Sequence, residues 1–206
     1  MSTDDVKAGP EMVDGKPVVL LDGPASWDSW LDEHGTASPG VWLRIAKKGA
    51  ELRTCTYAQA LEVALTHGWI DGQKKTYDGA SFIQKFTPRG PRSMWSQINR
   101  DKAEALIRDG RMKPAGLAAV ERAKANGQWD AAYESFGTAT VPADLQAALD
   151  ANPAAKAFFE ALDRQNRYAV LFRIHNVKKA ETRARKIEQF IAMLAKGETL
   201  YPRRKS

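Results

Sequence analysis

The sequence predicts an α+β protein: a small, mostly antiparallel sheet with packed helices in the N-terminal half, and a helical C-terminal half. Three observations predict it. Short β-branched or alternating apolar runs occur only up to Phe86. Two of them flank Asp78-Gly79, a strong hairpin turn. From Ser96 onward the apolar residues recur at helical spacing instead. With 206 residues, 43% of them apolar, the chain is long enough to bury a real core.

Residues 1–15 are acidic, punctuated by Gly and Pro and without period, so a disordered tail is expected. Pro17-Val18-Val19-Leu20-Leu21 reads as a first strand that stops at Asp22-Gly23-Pro24. Ser26 is the expected cap of a short helix with Trp27, Trp30 and Leu31 on one face, and Gly35 ends it. Val41–Ala46 is a strand with Val41, Leu43 and Ile45 on one side and Trp42, Arg44 and Ala46 on the other. Thr56 is placed to cap the helix Tyr57–His67, and Gly68 lies just past its end. That helix joins two strands, either as a crossover or by lying across an antiparallel sheet.

Trp69–Tyr77 and Ser81–Phe86 form the arms of the hairpin. Strict alternation would put Trp69, Asp71, Gln73 and Lys75 on one face. Pro88 and Pro91 close the sheet region. Helices then follow from Ser96 to Asp109, from Pro114 to near Gly127, from Pro142, from the Asn152 cap, from an Asn166 cap through Tyr168, Leu171, Phe172 and Ile174, and from Ala180 to Lys196. The organisation expected is a 1–15 tail, a 16–95 α+β region and a 96–202 helical region. A core shared by the last two is expected from their short connector.

The charge is uneven. Residues 1–35 hold 8 Asp/Glu against 2 Lys, whereas Arg164 to the end holds 12 Lys/Arg against 3 Glu. This balance favours an anionic partner, whether nucleic acid, a phosphorylated metabolite or a membrane surface, or else marks a plainly solvated helical surface. No apolar run is long enough to span a bilayer, and the first residues carry no secretory pattern, so a cytoplasmic location is expected. The lone Cys55 permits no internal disulfide, which fits the same compartment. It is either a nucleophile or a small residue packed before a helix.

His34, His67 and His175 lie apart in sequence with no Cys or His at ligand spacing, so no metal is expected. No nucleotide or phosphate-loop fingerprint occurs, and no cofactor is expected. Asp71 is the candidate catalytic carboxylate: beside Trp69 it could work as a general base, or it could pair with Arg44 or Arg89 and hold the sheet. Trp42, Trp69, Phe82, Phe86 and Trp95 alternate with Arg44, Lys74, Lys75 and Arg89. Exposed, they would make a stacking platform with phosphate contacts; buried, they would be core. Arg92 extends this basic stretch. Lys178, Lys179, Arg183, Arg185 and Lys186 give the last helix a basic side that could meet phosphates or acidic helices.

Gly68-Trp69-Ile70-Asp71-Gly72, Phe86-Thr87-Pro88-Arg89, Ser93-Met94-Trp95-Ser96 and Gly110-Arg111-Met112 resemble the YdeI/OmpD-associated family, described as bacteriocin-protection proteins. The resemblance continues through Pro114-Ala115-Gly116-Leu117 and Trp129–Tyr133 to Lys178–Ile187, covering roughly residues 25–202. Ala180 stands where the family's Lys-Lys-Pro-Glu-Thr-Arg element has proline, which loosens the start of the last helix. The resemblance implies a cytoplasmic bacterial protein of stress and antimicrobial-peptide tolerance, and it carries over no catalytic residue. Three classes of function remain open. A non-enzymatic protein acting through a partner comes first. A binder of anions or nucleic acid comes second, and an enzyme using Asp71 third.

Overall fold

Strand β3 (Val41–Ala46) runs through the middle of a five-stranded mixed sheet of order β1-β2-β3-β5-β4. The structure is a computed structural model and describes residues 11–135 and 137–202. The chain divides into two compact units. Unit 1 comprises residues up to Trp95 together with Asn99–Ala131, and unit 2 comprises Ser96–Ile98 and everything from Ala132 on. The sequence-based boundary at residue 95 therefore differs from this one, which groups the helices up to Ala125 with the sheet.

In unit 1, β1 (Met12–Val13) and β2 (Lys16–Val19) make a tight hairpin. Its turn residues Asp14 and Gly15 have φ of 48° and 70°. Asp and Gly are the residues that tolerate such a turn. Residues 11–15 thus form structure where a tail was expected; residues 1–10 of that tail lie outside the described residues. Helix α1 (Pro24–His34) joins β2 to its parallel neighbour β3. It starts two residues before the expected cap: Pro24 occupies the first turn, and Ser26 Oγ accepts from the Gly23 N–H from inside the helix.

Helix α2 (Tyr57–Thr66) begins at the expected Thr56, whose Oγ accepts from the Gln59 N–H while Gln59 Oε1 accepts from the Thr56 N–H. It leads into β4 (Trp69–Thr76), and β5 (Ser81–Pro88) returns between β3 and β4, antiparallel to both. The helix is therefore a crossover whose gap the hairpin's second arm fills.

Sheet and helices enclose one apolar cluster of Trp27, Leu31, Val41, Leu43, Ile45, Cys55, Ala60, Ala64, Trp69 and Phe86. Trp27 stacks on Trp30 at 5.3 Å and meets Trp69 edge-on at 6.3 Å. Helices α3 (Gln97–Arg108) and α4 (Pro114–Ala125) follow. At the α2–α4 crossing, a Cβ on Gly116 would sit inside contact distance of the Thr66 carbonyl oxygen, and one on Gly68 would strike that of Ala115. Gly68 also has φ +71°, so two glycines of the motifs serve a close backbone approach.

Unit 2 contains α5 (Ala143–Asp150), α6 (Pro153–Glu160), α7 (Arg164–His175) and α8 (Ala180–Ala195). Leu145, Leu149, Phe159, Val170, Ile174, Ile187, Phe190 and Leu194 form its core. Asn152 caps α6 as expected by accepting from the Ala155 N–H. Helix α7 is capped by Asp163 rather than Asn166: Asp163 Oδ1 accepts from the Asn166 N–H at 2.7 Å. Asn166 is buried, and its amide bonds Tyr201 instead.

Candidate functional site

Strand β4 does not keep a strict alternation. Asp71 faces Phe86 and Lys74 faces Gln84, so Gly72 and Gln73 together oppose Lys85 in a bulge. Gln84 Nε2 donates to both bulge carbonyls, Gly72 O at 2.9 Å and Gln73 O at 3.2 Å. The extra residue flips the parity of everything beyond it. Trp69 and Asp71 share the helix-covered face with Phe86, whereas Lys75 opposes Ile83 on the other face. The single face expected for Trp69, Asp71, Gln73 and Lys75 is therefore broken in two.

The interleaved aromatics and cations of unit 1 satisfy one another. Trp42, Trp69 and Trp95 are 0%, 2% and 3% exposed, and Phe86 is fully buried, so these rings offer no stacking platform to a base. Trp42 Nε1 donates to Val13 O, and Lys75 and Lys85 lie over its ring at 5.0 and 5.6 Å. Lys74 is exposed and sits over the half-buried Phe82 at 3.9 Å; Arg44 covers Tyr77 at 4.6 Å. Arg89 is buried, with its guanidinium carbon 3.6 Å from the Trp95 ring centre and Nη1 donating to Met94 O. Arg44 pairs with Asp78 and Lys75 with Asp14. Of this basic group only Lys74 and Arg92 are exposed.

Asp71 takes neither expected arginine. Its carboxylate accepts from Tyr57 Oη at 2.7 Å, which ties β4 to the start of α2. Cys55 is buried, and burial pushes its thiol up to about 11, so it stays protonated at neutral pH and serves as packing.

His67 is not isolated in space. Its Nε2 lies 2.7 Å from Asp28 Oδ1, and its Nδ1 3.9 Å from Asp32 Oδ1. Asp28 and Asp32 are one turn apart on α1, and Lys113, the residue before α4, reaches both at 2.9 and 2.6 Å. Burial pushes the Asp28 carboxyl up, but the hydrogen bonds from His67 and Lys113 outweigh it and hold the group below its usual range. Burial likewise opposes the charge on Lys113, and its bonds to Asp32 and Asp28 outweigh that and raise it. Asp28, Asp32 and His67 have the donor atoms of a metal site. The Lys113 ammonium occupies the cation's place between the two carboxylates, so the group closes on itself as an ion-pair knot joining α1, the end of α2 and the start of α4.

Unit 2 has a cleft of ≈ 250 Å³. Its floor is Ala132, Leu171 and Phe172, and its rim carries Gln97, Glu134, Thr140 and His175. Gln97 reaches this place because its N–H donates to Tyr133 O beside a Ser96–Tyr133 bridge. Glu134 Oε2 accepts from the Thr140 N–H and hydroxyl, closing the intervening loop. Tyr168 donates to Glu134 O, and burial raises its phenol to about 12, so it is a donor and not a base.

Arg183, expected on a free basic face, is instead held at the cleft edge. Its Nε and Nη2 bond the two Asp144 oxygens at 2.5 and 3.0 Å, and Nη1 donates to Ile174 O at the end of α7. Arg185, Lys178 and Lys179 are exposed, while Lys186 lies over Phe190. Sequence reading missed this cleft because Tyr168 and Phe172 share a helical stripe with core residues. The i, i+4 spacing of two aromatics beside polar neighbours was the available signal.

Fold and site define an α+β protein with a helical unit that carries a concave, aromatic-walled, polar-rimmed surface. Residues 138–197, most of that unit, match the family described as "Bacteriocin-protection, YdeI or OmpD-Associated". Over these residues, rather than over the whole of 25–202, the chain is similar to the YdeI/OmpD-associated family. Residues 19–119 match a separate description, "Domain of unknown function (DUF8412)". No curated protein and no solved structure matches the chain. Among the described residues no helix is long and apolar enough to cross a membrane.

Proposed function

We propose that the chain is a cytoplasmic tolerance protein that works by binding a partner, without catalysis, and that the unit 2 cleft is the surface it uses. The observation that carries this reading is the contrast between the cleft and the acid–base groups. The cleft lies largely within the family-matched segment, with an apolar floor and a polar rim, as binding sites commonly have. Asp71 is held by Tyr57, and Asp28, Asp32, His67 and Lys113 hold one another. A general base needs a substrate proton within reach, and these carboxylates are already engaged.

The test is complementation of a deletion strain challenged with a cationic antimicrobial peptide. Wild-type protein restores tolerance, and Gln97→Trp, which fills the cleft from its rim, does not, although circular dichroism shows it folded. Full protection by folded Gln97→Trp removes the cleft from the mechanism. A deletion strain with unchanged sensitivity removes the tolerance role.

A further inference from the structure

A second concavity of ≈ 320 Å³ lies on the other side of the Tyr168–Phe172 ridge. The two rings, one helical turn apart on α7, stack at 5.7 Å with 28° between their planes and form a flat wall. Tyr201 forms the facing wall, and its backbone is held in place. Asn166, 1% exposed, donates from Nδ2 to Tyr201 O and accepts from the Tyr201 N–H at 2.9 Å. Asp163 in turn holds the Asn166 amide at 3.0 and 3.2 Å. The slot is therefore built from a helix and a segment pinned through its backbone.

Arg173 lines this slot. Its guanidinium lies 5.5 Å from the Tyr201 ring centre, and Nη2 donates to Tyr201 Oη at a long 3.3 Å. No carboxylate lies within ion-pair distance of it among the described residues, in contrast to Arg183 with Asp144. Its Nη1 is buried without a hydrogen-bond partner among those residues. A half-buried guanidinium with an unused donor is costly unless something accepts from it, and an anion is the usual acceptor.

The chemistry of that anion follows from the walls. One guanidinium balances a single negative charge and matches a planar carboxylate through two parallel hydrogen bonds. The apolar walls are mostly ring faces, which favour a flat apolar group attached to the carboxylate. The volume is at the small end of ligand sites, enough for one ring and a short linker. We infer that this slot binds a monocarboxylate carried on an aromatic group, with Arg173 as its anchor. Two sources share that chemistry: a free aromatic acid, and the C-terminal residue of a peptide ending in an aromatic side chain.

The test compares 3-phenylpropionate with 3-phenylpropionamide on the full chain, by isothermal titration calorimetry and ligand-observed NMR. The acid should bind at least about tenfold more tightly than the amide, since the amide loses the charge-assisted pair. Arg173→Gln should abolish that preference while circular dichroism stays unchanged. Phe172→Leu, which keeps the apolar volume and removes the ring, should weaken acid and amide alike. A short peptide ending in free phenylalanine, set against its C-terminal amide, separates the sources. Tighter binding than phenylpropionate identifies a peptide terminus, and weaker binding a free acid. Equal affinity for acid and amide, no binding of the acid at millimolar concentration, or full retention of the preference in Arg173→Gln overturns the inference. This outcome is distinguishable from the complementation assay, because the preference for acid over amide is read through Arg173, which lines this slot and not the Gln97 cleft.

Discussion

In unit 1, cations and aromatic rings that look in sequence like a ligand platform are consumed inside the fold: lysines over Trp42 and Phe82, an arginine over Trp95, a lysine between Asp28 and Asp32. Unit 2 has fewer distinctive residues, and it leaves a glutamine rim, an aromatic ridge and an unbalanced arginine facing concave surface. The comparison teaches that density of motif and availability for binding are different properties. Tryptophan-rich motifs mark where packing is exacting, since large rings and backbone crossings tolerate few substitutes. A ligand surface needs only two or three groups left without internal partners.

The largest effect expected is from Trp69→Ala. Trp69 is packed edge-on to Trp27 and Trp30, so truncation should cost about 3–5 kcal/mol. Hydrogen-exchange mass spectrometry should show the loss of protection concentrated in unit 1. A loss spread equally over α5–α8 would break the distinction between the units.

Arg183→Ala comes next. It removes a bidentate pair with Asp144 and a bond to the Ile174 carbonyl, both partly exposed, and should cost about 1–2 kcal/mol. Were Arg183 on a free basic side, its loss would leave the melting point nearly unchanged. Chemical denaturation of Arg183→Ala beside Arg185→Ala, expected near wild type, decides which view holds.

Acid and alkali should sharpen the contrast. Asp28 and Asp144 both titrate below the usual carboxylate range when folded, Asp28 through His67 and Lys113 against burial, Asp144 chiefly through Arg183. Their contribution is complete above about pH 4 and is lost as pH falls through the depressed values. Lys113 is raised when folded, so its contribution is complete below about pH 10.4 and is lost as pH rises through its folded value. Peptide-resolved exchange should therefore show both units loosening in acid. Unit 1 should also loosen in alkali, where Lys113 is lost. An alkaline loss in unit 2 alone would contradict the assignment of Lys113 to the knot.

The smallest effect expected is from Asp71→Asn. It keeps a hydrogen-bond acceptor for Tyr57 on a partly exposed strand, so stability should change by less than about 0.5 kcal/mol. Tolerance in the complementation assay should also be unchanged. Loss of protection in folded Asp71→Asn would revive the general-base reading.

Local chemistry made much of the fold legible. Thr56 with Gln59, Asn152, and the Asp78 turn all act within a few residues: Asp78 Oδ1 accepts from Ala80 N, Ser81 N and Ser81 Oγ. What stayed hidden is set at a distance. The parallel pairing of β2 with β3 depends on a whole helix between them, and the β4 bulge depends on an amide from the next strand. Asn166 looked like a cap because the residue that fixes its true role, Tyr201, lies 35 positions away. The same holds for the site, where Asp28 meets His67 across 39 positions and Lys113 across 85. That Arg173 has no carboxylate in ion-pair reach among the described residues leaves no trace in a sequence.

The confinement of tryptophan to one unit also has an optical meaning. All six tryptophans belong to unit 1, and none occurs among residues 96–98 or 132–206. Red-edge excitation of the native chain therefore reports the sheet and its helices alone, while unit 2 is dark except through tyrosine. Replacing Tyr201 by tryptophan would place a single indole beside Arg173, outside the cluster of Trp27, Trp30 and Trp69. Its emission, read as a difference from the parent spectrum, would follow the hydration and occupancy of the slot directly.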